Sequence, residues 1–570
     1  MDKKKMAEEG KALALKTADM AKSGIIHAAN DMKRLVMSDK IFAALTAIAL
    51  LAFVGCTALK IFVKGNSSTE NVAEKTSDAP VKNTQASSGN GQSSASQNVI
   101  VRGSDVIIKN EYTDDVAKQL EGISVNVKYL NLSLKEIGND DLVKIIGRFP
   151  QVHHLNIESK KLTSVDALKN LTKADSLSIK ADNVSDFSSL AGLVSLKSLS
   201  IESEKMTDIK WMSNMTSLTS FSLRADSSLT SLDGIPNAQN LSSFSIYSAK
   251  ISDLSPVSVL KEATDVNLVS CSLPDLTPLT NLQKLKDLNL YGSTVKDLTP
   301  LAKIPTLKSL MIYATKETDY STLSALKNVR DVNFGMTKVH DISFVKEMTN
   351  LRGIKFFSED ITDFTPINGT DIEYIKIWSM KQPVDLSQIK GATKMKKIEI
   401  DSCGYGNKQI TNFDALSNMK LLEEIKITGL DKGCDKTIVD GNFAKGLENV
   451  KTMSLSKISH LINTNAFADL TGLEKVSFVD VSTDKAIDGA FFANMTNLKE
   501  VHIKNTSFIG YENLGKCGNL ETIDIEALSD NKAISSFKKL PKLRSITLSK
   551  SVSDSDLKDF ANPKIRINKK

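Results

Sequence analysis

The sequence predicts an α/β solenoid, a rod of stacked strand-and-turn units, and three observations carry that expectation. A hydrophobic triplet recurs about every 22 residues, apolar and polar residues alternate inside it, and a helix-start signal follows many copies about ten residues later. The triplets begin at Leu130-Asn131-Leu132 and run through Leu155-Asn156-Ile157, Leu177-Ser178-Ile179, Leu199-Ser200-Ile201, Phe221-Ser222-Leu223, Phe244-Ser245-Ile246, Val266-Asn267-Leu268, Leu288-Asn289-Leu290 and Leu310-Met311-Ile312. They continue at Val332, Ile354, Ile375, Ile398, Ile425, Met453, Val476, Val501, Ile523 and Ile546, 19 copies in all. Self-similarity at this period marks units that stack to bury a shared core, and such rods display surface more than they enclose reaction pockets.

The first segment, 1–40, mixes Ala, Leu, Ile and Met with charges of both signs and reads as a cytoplasmic segment with modest helical character. Residues 41–63 follow as a transmembrane helix. The uncharged stretch Ile41–Leu59 is 19 residues long, roughly 29 Å as a helix and long enough for the hydrocarbon core. About 40 residues precede it, more than a cleaved signal normally carries. The alternative anchor is a lipidated Cys56, because Phe53-Val54-Gly55-Cys56 resembles a loose bacterial lipobox. It departs from that pattern at Phe53 and in the apolar residues that follow Cys56.

Basic residues at Lys3, Lys4, Lys5, Lys11 and Lys16 favour a cytoplasmic N-terminus, which leaves the repeats extracellular. Residues 64–98 are rich in Ser, Thr, Asn, Gln and Gly and nearly free of large apolar residues. Such a segment cannot offset its chain entropy by burial, so a disordered linker is expected, spanning on the order of 32 Å. Residues 99–128 then cap the solenoid.

Within 129–413 each unit reads Leu-x-x-Leu-x-Leu, as at Leu285 to Leu290. Period-two alternation makes a short strand with leucines inward. The second block is Ile251-Ser252-Asp253-Leu254-Ser255-Pro256, Leu273 to Pro278, Val295 to Pro300 and Ile361 to Pro366. Ser or Thr before Pro predicts a short helix or 3₁₀ turn, with the hydroxyl as cap and Pro at the first position.

At this point residues of roughly 150–413 resemble the internalin-type bacterial leucine-rich repeat. Asn465-Ala466-Phe467-Ala468-Asp469-Leu470-Thr471-Gly472-Leu473 and Gly489 to Leu498 resemble the BspA-type repeat, expected over 414–548 before a C-terminal cap at 549–570. The resemblance implies a curved parallel sheet on a concave face, turns on the convex face, and adhesion or partner binding outside the cell. Longer intervals of 27 and 28 residues after Asp401, around Gly404-Tyr405-Gly406 and Gly429 to Gly441, mark a seam between the two kinds.

One departure stands out. The asparagine that such repeats carry after the strand is replaced by Lys160, Asp182, Glu204, Asp226, Ala249, Cys271, Ser293, Thr315, Thr337, Glu359, Met380 and Cys403. Those turns need other hydrogen-bond partners. Cys271 and Cys403 are then structural substitutes. Asp186, Asp208, Asp253, Asp275, Asp297, Asp319, Asp341 and Asp363 recur in register; we read them as local caps and Asx-turns, not as metal ligands.

The outward position just after the inward pair reads Arg224, Tyr247, Val269, Tyr291, Tyr313, Gly335, Phe357 and Trp378. Aromatic residues make up 6% of the chain, yet five of these eight rungs are aromatic. Strands lie about 4.8 Å apart, so the rings form a stripe on one face. Beside it run Asp265, Asp287 and Asp331, with Asn267, Asn289, Asn333, Lys355 and Lys376 between. The candidate ligand-binding set is therefore Tyr247, Tyr291, Tyr313, Phe357, Trp378, Asp287, Asp331, Lys355 and Lys376. Its partner is either a protein or a glycan; the alternative is that the rings simply pack on one another in an envelope scaffold without a dedicated ligand.

Catalysis is not indicated. No HExxH, GxSxG, Walker or GxGxxG motif occurs, and adjacent His153 and His154 point to opposite faces of a strand. Cys56, Cys271, Cys403, Cys434 and Cys517 lie far apart with no CxxC pair. Lys plus Arg number 73 against 67 Asp plus Glu, without the clustering that a nucleic-acid surface needs. No cofactor is expected.

Overall fold

The computed structural model describes residues 98–569 apart from 110, 135, 226–227, 236–237, 239, 248–249, 314–317, 358, 402–408, 431–436, 527, 529, 559 and 561–563. The expected cytoplasmic segment, membrane helix and linker, with Cys56, fall outside the described residues. Among the described residues no helix is long and apolar enough to cross a membrane.

Among the described residues, beside three two-stranded sheets, alternating apolar residues build a 23-stranded sheet. It opens on an antiparallel hairpin, Val99–Arg102 against Asp105–Lys109. From Asp105–Lys109 onward the rungs pair in parallel, so that Val106 stands opposite Leu130 and Ile546 opposite Ile567 at the two ends. Between them Leu130, Leu155, Leu177, Leu199, Phe221, Phe244 and Val266 lie directly across from one another. Leu288, Leu310, Val332, Ile354, Ile375 and Ile398 continue the row. The sequence register is thus the sheet register. The parallel sheet also reaches into both terminal segments, through Asp105–Lys109 and Arg566–Lys569.

The inward residues of each strand meet apolar residues of the return segment in one continuous core. A fully buried Leu or Ile contributes about 1.5–3 kcal/mol, repeated rung by rung. The return segments are short 3₁₀ turns such as Ser255–Val259, Thr277–Asn281, Thr299–Lys303 and Thr365–Ile367. The α-helices among the described residues are Asp114–Glu121, Asn139–Arg148 and Asn531–Phe537.

The capping chemistry differs from the sequence expectation. Pro does occupy the first positions, but no side chain caps these four Pro-containing turns at their cap residue. The aspartate two residues before the Ser or Thr does the work. Asp253 accepts from the Ser255 amide, Asp275 from Thr277, Asp297 from Thr299 and Asp363 from Thr365. Asp186, Asp208, Asp319 and Asp341 make the same bond. All eight aspartates are therefore Asx-turn acceptors, as their spacing suggests.

The corner after each strand also needs a correction. In the first rungs the inward residues there are Ser159, Ala181, Ser203 and Ala225, all buried, while Lys160 and Glu204 are exposed. From the middle rungs onward an extra residue enters the corner in left-handed backbone. These residues are Ser270, Gly292, Met336 and Ser379, then Gly429, Lys457, Asp480 and Asn505. The added residue turns the next side chain inward, which buries Cys271, Ser293, Thr337, Met380, Ile458 and Val481.

The missing asparagines are replaced locally. Ser293 Oγ accepts from the Cys271 amide at 3.0 Å and donates to the Leu268 carbonyl at 2.8 Å. Glu359 is fully buried, and its carboxylate accepts the Thr337 amide (2.9 Å), the Thr337 hydroxyl (3.0 Å) and the Val339 amide (2.9 Å). Cys271 is buried and unbridged, while Asp226, Ala249, Thr315 and Cys403 lie outside the described residues. Across the long intervals the strands stay in register, Ile398 to Ile425 to Met453.

Candidate functional site

Period-two geometry gives each rung three outward positions, and the register aligns them into columns. The last column runs Glu158, Lys180, Glu202, Arg224, Tyr247 and Val269 through one end of the sheet. Backbone bonds from Ser270 to Tyr291 and from Gly292 to Tyr313 carry it onward. It then passes through Gly335, Phe357, Trp378 and Asp401.

Four of the five expected rings form one stack. Tyr291 and Tyr313 lie 6.1 Å apart between centroids, Tyr313 and Phe357 6.1 Å, and Phe357 and Trp378 4.3 Å. The first two pairs are inclined by only 18°. Tyr247 stands apart, separated by the buried Val269, and takes the Arg224 guanidinium over its ring at 5.7 Å.

Tyr313 and Phe357 are two strands apart, and Gly335 explains how they touch. A methyl group at Gly335 would sit 2.2–2.6 Å from three atoms of the Tyr313 ring. The ring therefore occupies the space that a side chain would fill. In sequence Gly335 looks like a gap in the aromatic row; in the fold it is the bridge. Gly353 plays the same part for Asp331, whose carboxylate oxygen would lie 2.2 Å from an added methyl.

The rings are half-buried. Burial pushes the Tyr313 hydroxyl up to about 12, with Glu359 and Tyr291 adding to it, and also raises Tyr247 and Tyr291. These hydroxyls remain protonated donors at neutral pH.

The first outward column carries Asp265, Asp287 and Asp331 around Ser309. Burial and then the neighbouring Asp265 raise Asp287, and burial raises Asp331. In the middle column Asn289 donates to Asn267 at 3.2 Å and Asn267 to Ser245 at 3.0 Å, a ladder along the open face.

Beyond the rings the face turns charged. Lys376 lies 5.1 Å over Trp378 and 3.3 Å from Glu399. Lys397 reaches Glu399 at 2.9 Å and Glu424 at 3.0 Å. Lys355 and Lys397 both lie over the Tyr374 ring, at 5.5 and 5.3 Å. Burial opposes ionisation of Glu399, but the Lys397 hydrogen bond and the two lysine charges hold it below the usual range. Burial and nearby Lys376 depress Lys355.

The structure thus joins Tyr291, Tyr313, Phe357, Trp378 and Lys376, with Lys355 on the strand of Phe357, Asp331 on the strand of Gly335 and Asp287 on the rung that leads into Tyr291, and it leaves Tyr247 apart. The sequence reading missed Tyr374, Glu399, Lys397 and the two glycines. Tyr374 was within reach, since Tyr374, Lys376 and Trp378 alternate on one face of the strand Tyr374–Trp378. At the far end His153 pairs with Asp175 at 2.7 Å while His154 stacks on Tyr129 at 4.4 Å, so the two histidines serve different neighbours. Among the described residues no group of His, Cys, Asp and Glu could hold a metal ion.

Residues 436–567 match the BspA type leucine-rich repeat region in 6 copies, beginning later than the expected 414 and running past 548. No curated protein sequence matches the chain. Among solved structures an internalin of Listeria monocytogenes is similar at 20% identity over 58% of this chain and 88% of its own, TM-score 0.38. A leucine-rich repeat protein of Leptospira interrogans is similar at 15% identity over 81% and 100%, TM-score 0.38. The Toll–Spatzle complex of Drosophila is similar at 11% identity over 79% and 62%, TM-score 0.49. The chain carries BspA-type leucine-rich repeats over 436–567.

Proposed function

We propose that this leucine-rich repeat chain is a recognition scaffold that binds a protein partner on the open face of its long sheet. The observation that carries the reading is the four-ring stack Tyr291–Tyr313–Phe357–Trp378. Large rings left half-open in a row, bordered by charges of both signs, are what anchors of protein interfaces look like. Tyr313 and Phe357 each have a ring on both sides. A partner therefore meets a joined apolar strip and not the isolated ring platforms that favour single sugars.

The layout we propose around this strip is surface display. Residues 41–63 anchor the chain in the membrane with the N-terminus cytoplasmic, residues 64–98 tether it, and the repeats face outward to adhere to or recognise another surface. Basic residues before the apolar run and its 19-residue length support that arrangement. Protease treatment of intact cells tests it: release of the repeats by cleavage within 65–98 is expected, and protection of the repeats reverses the orientation.

Binding is tested by comparing the full chain with a Tyr291→Ala, Tyr313→Ala, Trp378→Ala variant in affinity enrichment from candidate surface proteins, alongside a glycan array. Central aromatic anchors cost at least about 2 kcal/mol each when truncated, roughly thirtyfold in affinity. A protein captured equally by both forms removes the aromatic strip as the binding site, and a glycan signal lost in the variant replaces the protein reading.

A further inference from the structure

The ring strip ends on an unusual charge arrangement. Lys355, Lys376 and Glu399 stand in one column on neighbouring strands, and Gly353, Tyr374 and Lys397 in the next. Glu399 is engaged by Lys376 and Lys397, and Lys397 also by Glu424. Lys355 is left over. It has no carboxylate within ion-pairing distance among the described residues, although Asp331 and Glu399 both attract it and Lys376 and Lys397 repel it.

Its ammonium is held over the Tyr374 ring, partly out of water and two residues from Phe357, which packs on Trp378. Asp401 and Lys426 border the far side of the cluster, opposite Trp378 and Glu399 respectively. A half-buried ammonium beside an apolar strip lacks one thing, an anion presented from outside.

We propose that Lys355 is the docking point for an acidic side chain of the partner protein, carried beside a large apolar residue that packs against Phe357 and Trp378. This rests on the reading of the sheet face as a protein-binding surface and gives that surface a polarity. The cation sits on the Phe357 strand, one strand before Trp378, with Asp331 on the strand at its other side and Asp287 and Asp265 farther along in that direction. A partner segment is thereby oriented with its acidic end over Lys355. Charge complementarity fixes orientation and register more than it adds affinity.

The protein supplies its own reporter. Its two tryptophans are Trp211 and Trp378, so Trp211→Phe leaves the emission of the full chain reporting on this site alone. The probes are an acetylated peptide alternating aspartate with phenylalanine, its lysine–phenylalanine counterpart, and sialyllactose.

The acidic peptide should shift Trp378 emission saturably and weaken with added salt, while the lysine peptide should not. Lys355→Met should lower affinity for the acidic peptide about tenfold or more, and Lys355→Arg should retain most of it, with melting temperature unchanged in both. Equal response to both peptides, no response to the acidic one, a response to sialyllactose alone, or indifference to Lys355→Met overturns the proposal. Should partner capture still depend on Tyr313 and Trp378 in that event, the broader recognition reading stands and only its polarity falls.

Discussion

Replacing Gly335 by alanine probes the ring strip from beneath. The glycine has no left-handed φ to protect, so an alanine there meets no backbone penalty and removes chain entropy from the unfolded state. On those grounds Gly335→Ala in a strand is stabilising by about 0.5–1 kcal/mol. The structure predicts the opposite sign. The added methyl falls 2.2–2.6 Å from Cδ1, Cε1 and Cζ of Tyr313, so the ring must swing away. That forfeits two ring contacts, with Tyr291 and Phe357, each worth about 0.5–1.5 kcal/mol. The net is a loss of up to about 2 kcal/mol, within the range for overpacking.

Tyr313→Ala should reverse the outcome. With the ring gone the methyl loses that clash, and Gly335→Ala on that background should stabilise by about 0.5–1 kcal/mol. Chemical denaturation of the four proteins in a double-mutant cycle measures the coupling, expected at about 1.5–3 kcal/mol. Additive effects, or stabilisation by Gly335→Ala in the unaltered chain, would refute the placement of Tyr313 over the glycine.

Three further outcomes follow from the corners and caps. Glu359→Ala strips buried amides at Thr337 and Val339 of their acceptor and should cost at least about 1–3 kcal/mol in denaturation; an unchanged midpoint would mean that other groups satisfy them. Ser379→Gly relieves a left-handed backbone at φ 51° and should raise stability by up to about 1 kcal/mol, with a lowered melting temperature as the contrary result. Hydrogen bonds from Ser and Thr hold the carboxyls of Asp186, Asp253, Asp275 and Asp363 below their ordinary range. Their stabilisation is present above the unfolded carboxylate range and is lost as pH falls through the folded values. Replacing these four by asparagine keeps an acceptor but removes the titration, so the acid-side decline in melting temperature should flatten. A decline as steep as before would place it elsewhere.

The repeat and its register were legible because burial on one face punishes a one-residue slip with the whole inward set. Leu177, Phe221 and Ile398 could each be assigned a face from spacing alone. The corners were not legible. Ser159 and Cys271 are both inward, but one stands a single residue past the last outward position and the other two, because Ser270 takes left-handed backbone. Nothing in one rung announces that extra residue. The aspartates were legible as turn formers, yet their role as acceptors displaced the Ser and Thr hydroxyls expected to cap. At the site, column membership was readable but contact was not. Gly335 reads as an interruption until the Tyr313 ring is seen to lie across it, and the ion pairs of Glu399 depend on side-chain reach between strands.

The unbroken register has a bearing on how such a surface can change over generations. Each strand is held mainly by its two neighbours, so duplicating or deleting one complete 22-residue unit leaves the remaining pairings intact. A deletion of the unit that carries Gly335 would bring Tyr313 beside Phe357, and a tandem duplication of the Phe357 unit would set a second phenylalanine between Phe357 and Trp378. Either event moves the two ends of the strip by one strand spacing, about 4.8 Å. The distance between the carboxylate end and the lysine end is therefore quantised, open to selection in whole steps without disturbing the fold that carries it.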